Sequence, residues 1–280
     1  MLRYNLVKLS IFFPYGYGCI TRIKSIVHKI SFFIIYVIPV FYFALNSLQQ
    51  AMVNGDFLLR IAIAFTETYC IYEIGYIYND IFTRKKEKSP TNWFDNDGIE
   101  RFVEQNYILL ISVRVIYLTV GIVVLLLANE KNLPIFVIFL GLLYFTFSLH
   151  NYFRDKRNVL TDFFLNFFKY LTPVVLFVSS YQGIKNCIYL FFEIIIVRSL
   201  EFALGKGYFF SKLNSFDVDV LRVYYYAVLT LIAFVFWLAG FTNYTFLLST
   251  VYFLIYRVFC IAVGRNRIIK NEREKNNGKK

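Results

Sequence analysis

Apolar residues along this chain come in long blocks separated by short polar breaks, at about 30–48, 57–78, 107–127, 134–150, 162–180, 186–204, 222–240 and 244–263. Helices of roughly 17–25 residues match the hydrocarbon thickness of a bilayer. The pattern therefore predicts an all-α chain, a polytopic membrane helix bundle of about eight transmembrane helices. Pro39 and Pro173 fall inside two of the blocks, where the missing N–H predicts a kink. Ahead of the blocks, residues 1–29 are basic and mixed, suited to an interfacial segment. The transmembrane domain then covers 30–264, and 265–280 form a basic tail.

Composition agrees with that division. Of 280 residues, 58% are hydrophobic, 21% aromatic and only 17% charged, which excludes an ordinary soluble domain. A net charge of +12 would point to nucleic acid in a soluble chain, but here its distribution gives another reason. Of 30 Lys and Arg residues, 24 fall in segments 1–30, 81–101, 151–161, 203–222 and 257–280, all on one side of the predicted bundle. The positive-inside rule makes that side cytoplasmic. The expectation is an integral protein of the inner or cell membrane, crossing it many times, with both termini cytoplasmic and no nucleic-acid partner. Its tail, RNRIIKNEREKNNGKK, reads as a solvated anchor near anionic lipid. Four cysteines without CxxC spacing and only two histidines, His28 and His150, indicate neither a zinc site nor a disulfide framework. Pro14 and aromatic residues stand where a signal peptide would carry its small-residue cleavage site.

Several charges lie inside the apolar blocks: Arg60, Glu67, Glu73, Arg114, Lys169, Glu193, Arg198 and Glu201. Each would cost roughly 2.5–3.5 kcal/mol at the centre of a lipid-facing helix. They must face one another, water or a ligand, which predicts a polar cavity inside the bundle. Arg198 and Glu201, three residues apart, can satisfy each other. The richest stretch is Glu73–Thr91, EIGYIYNDIFTRKKEKSPT, where the second block ends. If that helix continues past Asp80, then Glu73, Asp80 and Glu87 lie seven apart, and Tyr76 and Thr83 share their face. Pro90 is a stop signal for the extension. Hard carboxylate ligands in such a stripe suit Mg²⁺. A solvated, mixed-charge helix end explains the same residues.

The stretch resembles the first aspartate-rich motif of the UbiA-type membrane prenyltransferase superfamily, N-D-x-x-D-x-x-x-D after the second membrane helix. The matching residues are Asn79, Asp80, Thr83 and Glu87, with Thr83 in place of one acid and Glu87 in place of another. The Lys156–Arg157 pair stands where the family has a basic pair ahead of its fifth helix, and Glu201, followed by Gly205 and Lys206, is the match to the second acidic motif. The resemblance implies a bundle around a cavity open to the cytoplasm and laterally to lipid. It further implies a transferase acting on a polyprenyl diphosphate, or on phosphoribosyl diphosphate with a polyprenyl phosphate acceptor. Mg²⁺ would be held by Asp80, Glu87 and Glu201, which are also the implied catalytic residues. The isoprenoid (di)phosphate would be met by Asn79, Thr83, Tyr76, Arg154, Lys156, Arg157 and Lys206.

The loss of an acid at Thr83 and the single acid of the second motif support an alternative. In it the chain is a non-catalytic relative that binds a lipid phosphate or assembles with other membrane proteins. A transporter would explain buried charges but not their concentration on the cytoplasmic side.

Overall fold

The computed structural model describes residues 2–48, 53–86, 93, 94, 96–153, 155–205 and 217–277. All regular structure among them is helical. The chain divides into two compact units, residues 1–190 and 191–280.

The first unit opens with two short helices, α1 (Leu2–Ser10) and α2 (Gly16–Thr21), then α3 (Ile26–Ser47), α4 (Gly55–Tyr78), α5 (Asp97–Leu127), α6 (Leu133–Tyr152), α7 (Arg157–Val175) and α8 (Tyr181–Leu190). Local chemistry sets several starts. Ser25, Asn54 and Asn96 each accept a hydrogen bond from a first-turn N–H, of His28, Phe57 and Gly98 respectively. Pro134 sits in the first turn of α6, where its missing N–H costs nothing. The helix widens into a π turn, Phe33–Val37, just before Pro39. Pro173 falls near the end of α7, which stops two residues later.

In this unit α3 packs on α7 and α8, α4 on α5, α6 and α7, and α6 on α7. Gly75 allows the close approach of α4 to α6, since a Cβ there would come within 2.4 Å of the Phe147 ring. A cluster of Ile11, Tyr17, Ile77, Ile81, Phe94 and Val103 packs the amino-terminal helices against α4 and α5.

The second unit holds a π turn, Phe191–Ile195, then α9 (Ile196–Gly205), α10 (Val218–Leu238) and α11 (Tyr244–Asn277). Helices α10 and α11 form a hairpin. Its turn uses Gly240 at φ 74°, with Gly240 N–H bonded to Trp237 O and Phe241 N–H to Phe236 O, a Schellman-type end.

The distribution of polarity is inverted relative to a water-soluble protein. Ile116 and Leu127 on α5 and Leu231 on α10 are 60%, 76% and 63% exposed, while Arg114 and Glu73 are completely buried. Among the described residues, five helices are long and apolar enough to cross a bilayer: Ile26–Ser47, Asp97–Leu127, Leu133–Tyr152, Val218–Leu238 and Tyr244–Gly264. The chain is a multi-pass helical membrane protein.

Candidate functional site

The site is built where α4 ends. Past Tyr78 the chain widens into a π turn, Asn79–Thr83, and then tightens into a 3-10 turn, Arg84–Lys86. The predicted extension beyond Asp80 exists, but its changing pitch breaks the seven-residue phase after Asn79. Glu87 lies outside the described residues, as do Arg154 and Lys206.

Glu73 and Asp80 do share a direction, and what they meet is the chain's own amino-terminal segment. Arg22 donates two hydrogen bonds to Asp80, from Nη2 to Oδ1 at 2.7 Å and from Nη1 to Oδ2 at 3.1 Å. The Tyr17 hydroxyl donates to Oδ2 at 2.6 Å. Burial, with the neighbouring carboxylate second, pushes the Tyr17 phenol well above its ordinary range, so it remains a donor. The Arg22 guanidinium stacks over Tyr76 at 4.7 Å and Trp93 at 4.3 Å. Two turns deeper, Arg114 donates to Glu73 Oε2 from Nε at 3.1 Å and from Nη2 at 2.9 Å, while Gly18 N–H donates to Oε1 at 2.8 Å. Arg114 Nη2 also reaches the carbonyls of Ile11 at 2.5 Å and Phe13 at 3.3 Å. Two carboxylates and two guanidiniums therefore form a neutral network that ties residues 11–22 to α4 and α5.

The remaining first-motif residues have local roles. Thr83 donates to its own turn, at Asn79 Oδ1 (2.7 Å) and Asn79 O (3.1 Å), and Asn79 Nδ2 lies 3.3 Å from Asp80 Oδ1. Tyr76 is the face on which Arg22 rests.

Mg²⁺ can be tested against this donor set. The ion needs carboxylate oxygens free to approach at about 2.0–2.1 Å in near-octahedral geometry. Both Asp80 oxygens already carry N–H or O–H donors, and a guanidinium stands against them. Among the described residues no three His, Cys, Asp or Glu side chains come together as a metal site. Asp80 in this structure does not fit the ion.

Glu201, in the second unit, is likewise met by arginine. It accepts from Arg222 Nε at 2.6 Å and Arg198 Nη1 at 3.3 Å, with Arg257 at 3.8 Å. The expected i,i+3 pairing of Arg198 with Glu201 is present, joined by two further cations. Arg157 turns to its neighbour Asp155 at 2.7 Å, and Lys156 is exposed at the start of α7. Those hydrogen bonds from Arg157 hold the Asp155 carboxyl below its ordinary range.

Beside the network a groove of about 500 Å³ opens between α4, α5 and α6, lined by Ile74, Tyr78, Thr83, Ile111, Tyr144 and Phe147. Asn151, which also lines it, donates to Gly75 O at 3.0 Å. Tyr152, an exposed residue five before Arg157 in sequence, also lines the groove.

Sequence reasoning singled out Asp80 and Glu73 but missed Tyr17 and Arg22, and left Arg114 without a partner. Arg22 is 58 residues from Asp80 in sequence, and no periodic pattern links the two. The available signal was electrostatic: Arg114 inside one apolar block and Glu73 inside another require each other. In comparisons with family models, curated proteins and solved structures, nothing matches this chain.

Proposed function

We propose that this chain is a membrane protein of UbiA-type descent that binds an isoprenoid phosphate as a lipid, without metal and without transferase chemistry. The observation that carries this reading is the occupation of both Asp80 oxygens by Arg22 and Tyr17. A guanidinium and a phenol stand where a metal-dependent transferase needs open carboxylate oxygens. In this reading the segments 26–47, 55–78, 97–127, 133–152, 157–175, 181–205, 218–238 and 244–264 each cross the bilayer, eight in all, with both termini cytoplasmic. The apolar chain lies in the groove against Ile74, Tyr144 and Phe147. Its phosphate meets Lys156 and Arg157, which follow the groove-lining Tyr152 in sequence.

The test is binding of a fluorescent polyprenyl phosphate to the full chain in lipid nanodiscs, with Mg²⁺ and with a chelator. Affinity is expected to be equal in both and to fall at least several-fold in Ser148→Trp, which fills the groove from one of its lining positions. Binding that requires Mg²⁺ would instead favour the transferase.

A further inference from the structure

The second unit contains a carboxyl group that plays no part in the lipid groove. Glu193 lies in the π turn Phe191–Ile195 and is completely buried. Its Oε2 has no hydrogen-bond partner. Its Oε1 lies 2.5 Å from Ser249 Oγ, and that oxygen also lies 3.0 Å from Thr245 O and 2.9 Å from Phe246 O. A serine hydroxyl has one hydrogen to donate. With Glu193 ionised, that single hydrogen would face three acceptors, and a carboxylate would stand completely buried with no cation hydrogen-bonded to it among the described residues. Burying an unpaired charge in this way is far costlier than burying a polar group. One added proton resolves the count. Glu193 O–H donates to Ser249 Oγ, and the serine hydrogen goes to a backbone carbonyl.

The groups around Glu193 lead outward. From α10, Tyr226 donates to Glu193 O at 2.7 Å, and the Tyr225 hydroxyl bonds Phe192 O. From α11, Ser249 faces the carboxyl, and Phe253 stacks on Tyr226 with ring centroids 5.1 Å apart. Arg257 follows one turn later, completely lacking hydrogen-bond partners at Nε and Nη2. It lies 3.8 Å from Glu201, which accepts from Arg222, which in turn holds Asp219 at 2.5 Å. Side-chain exposure rises in that order, from 6% at Arg257 through 10% and 21% to 52% at Asp219. This seam of ion pairs connects Arg257, two turns beyond Ser249 on α11, to the exposed Asp219 at the start of α10. Helical π turns recur at functional sites, and an intramembrane acid without a charged partner is a functional-site candidate.

We propose that Glu193 is a proton-binding site inside the membrane domain, exchanging its proton with water through the seam that ends at Asp219. On release, the O–H bond of Glu193 breaks, the proton passes to a water molecule, and the Ser249 hydrogen swings from its carbonyl to Glu193 Oε1. Uptake reverses these moves.

Infrared spectroscopy of the full chain in nanodiscs at neutral pH tests this, because a protonated carboxyl absorbs apart from a carboxylate. The wild type should show a carboxylic-acid C=O band that Glu193→Gln removes and that shifts on transfer to D₂O. Ser249→Ala should move the band to higher frequency by deleting the hydrogen bond. No band lost in Glu193→Gln, or a band that never shifts in D₂O, overturns the proposal. If Glu193→Gln does not fold, an unmoved band in Ser249→Ala decides against it.

Discussion

Replacing Arg114 by methionine should be among the most damaging single changes in the first unit. The substitution keeps a long apolar stem but deletes a guanidinium that is completely buried and makes four hydrogen bonds. Glu73, also completely buried, would be left with backbone donors such as the Gly18 N–H and no countercharge. Breaking a buried ion pair from one side costs about 3–5 kcal/mol, chiefly because the orphaned charge stays buried. The carbonyls of Ile11 and Phe13 would lose a donor as well, so the upper end of that range is expected. The assay is denaturant unfolding in mixed micelles followed by Trp93 fluorescence, with maleimide labelling of Cys19 as a local readout. Cys19 lies in α2, so detachment of the amino-terminal segment should speed its labelling. Adding Glu73→Gln removes the orphaned charge and should recover roughly half of the loss. A cost below about 1 kcal/mol in the single variant would refute the reasoning. So would a double variant as unstable as the sum of the two single changes, which would mean that the residues do not interact.

Other predictions follow from neighbouring contacts. Tyr17→Phe deletes one donor to a buried carboxylate and should lower stability by about 1.5–3 kcal/mol in the same unfolding assay; no change would mean that Tyr17 does not support Asp80. Gly75→Ala drives a Cβ into the Phe147 ring and should cost about 1–3 kcal/mol, with Phe147→Leu in the same chain restoring part of it. Single cysteines introduced at Ser89 and Asn132 should label from opposite sides of the membrane, and labelling from one side only would break the proposed eight-span topology.

Much of the fold is written in the spacing of apolar residues. The block at 57–78 is α4, Gly55–Tyr78, and the block at 134–150 is α6, Leu133–Tyr152. Hydropathy misplaced ends where a helix runs on past its apolar part. Helix α5 begins at Asp97, ten residues before its block, because Asp97–Asn106 is helical but polar and lies beyond the apolar block. The π turns at Phe33–Val37, Asn79–Thr83 and Phe191–Ile195 were invisible, since a one-residue change of pitch leaves no compositional trace. At the site, the shared direction of Glu73 and Asp80 was readable from helical phase. Their partners were not, because Tyr17, Gly18 and Arg22 are brought there by tertiary packing of a segment that reads as a generic basic leader. A carboxylate facing a guanidinium and one facing a metal look the same in sequence; only the arrangement of donors separates them.

The most direct test of that separation is metal binding at Asp80. Mn²⁺ serves as a paramagnetic stand-in for Mg²⁺, and its electron paramagnetic resonance signal distinguishes bound from free ion. Titrated into the full chain in nanodiscs, wild type and Asp80→Asn should bind the same amount of Mn²⁺, because Arg22 and Tyr17 already hold the carboxylate. A protein-bound Mn²⁺ signal present in wild type and abolished in Asp80→Asn would show that the motif binds metal, and would contradict the account at its centre.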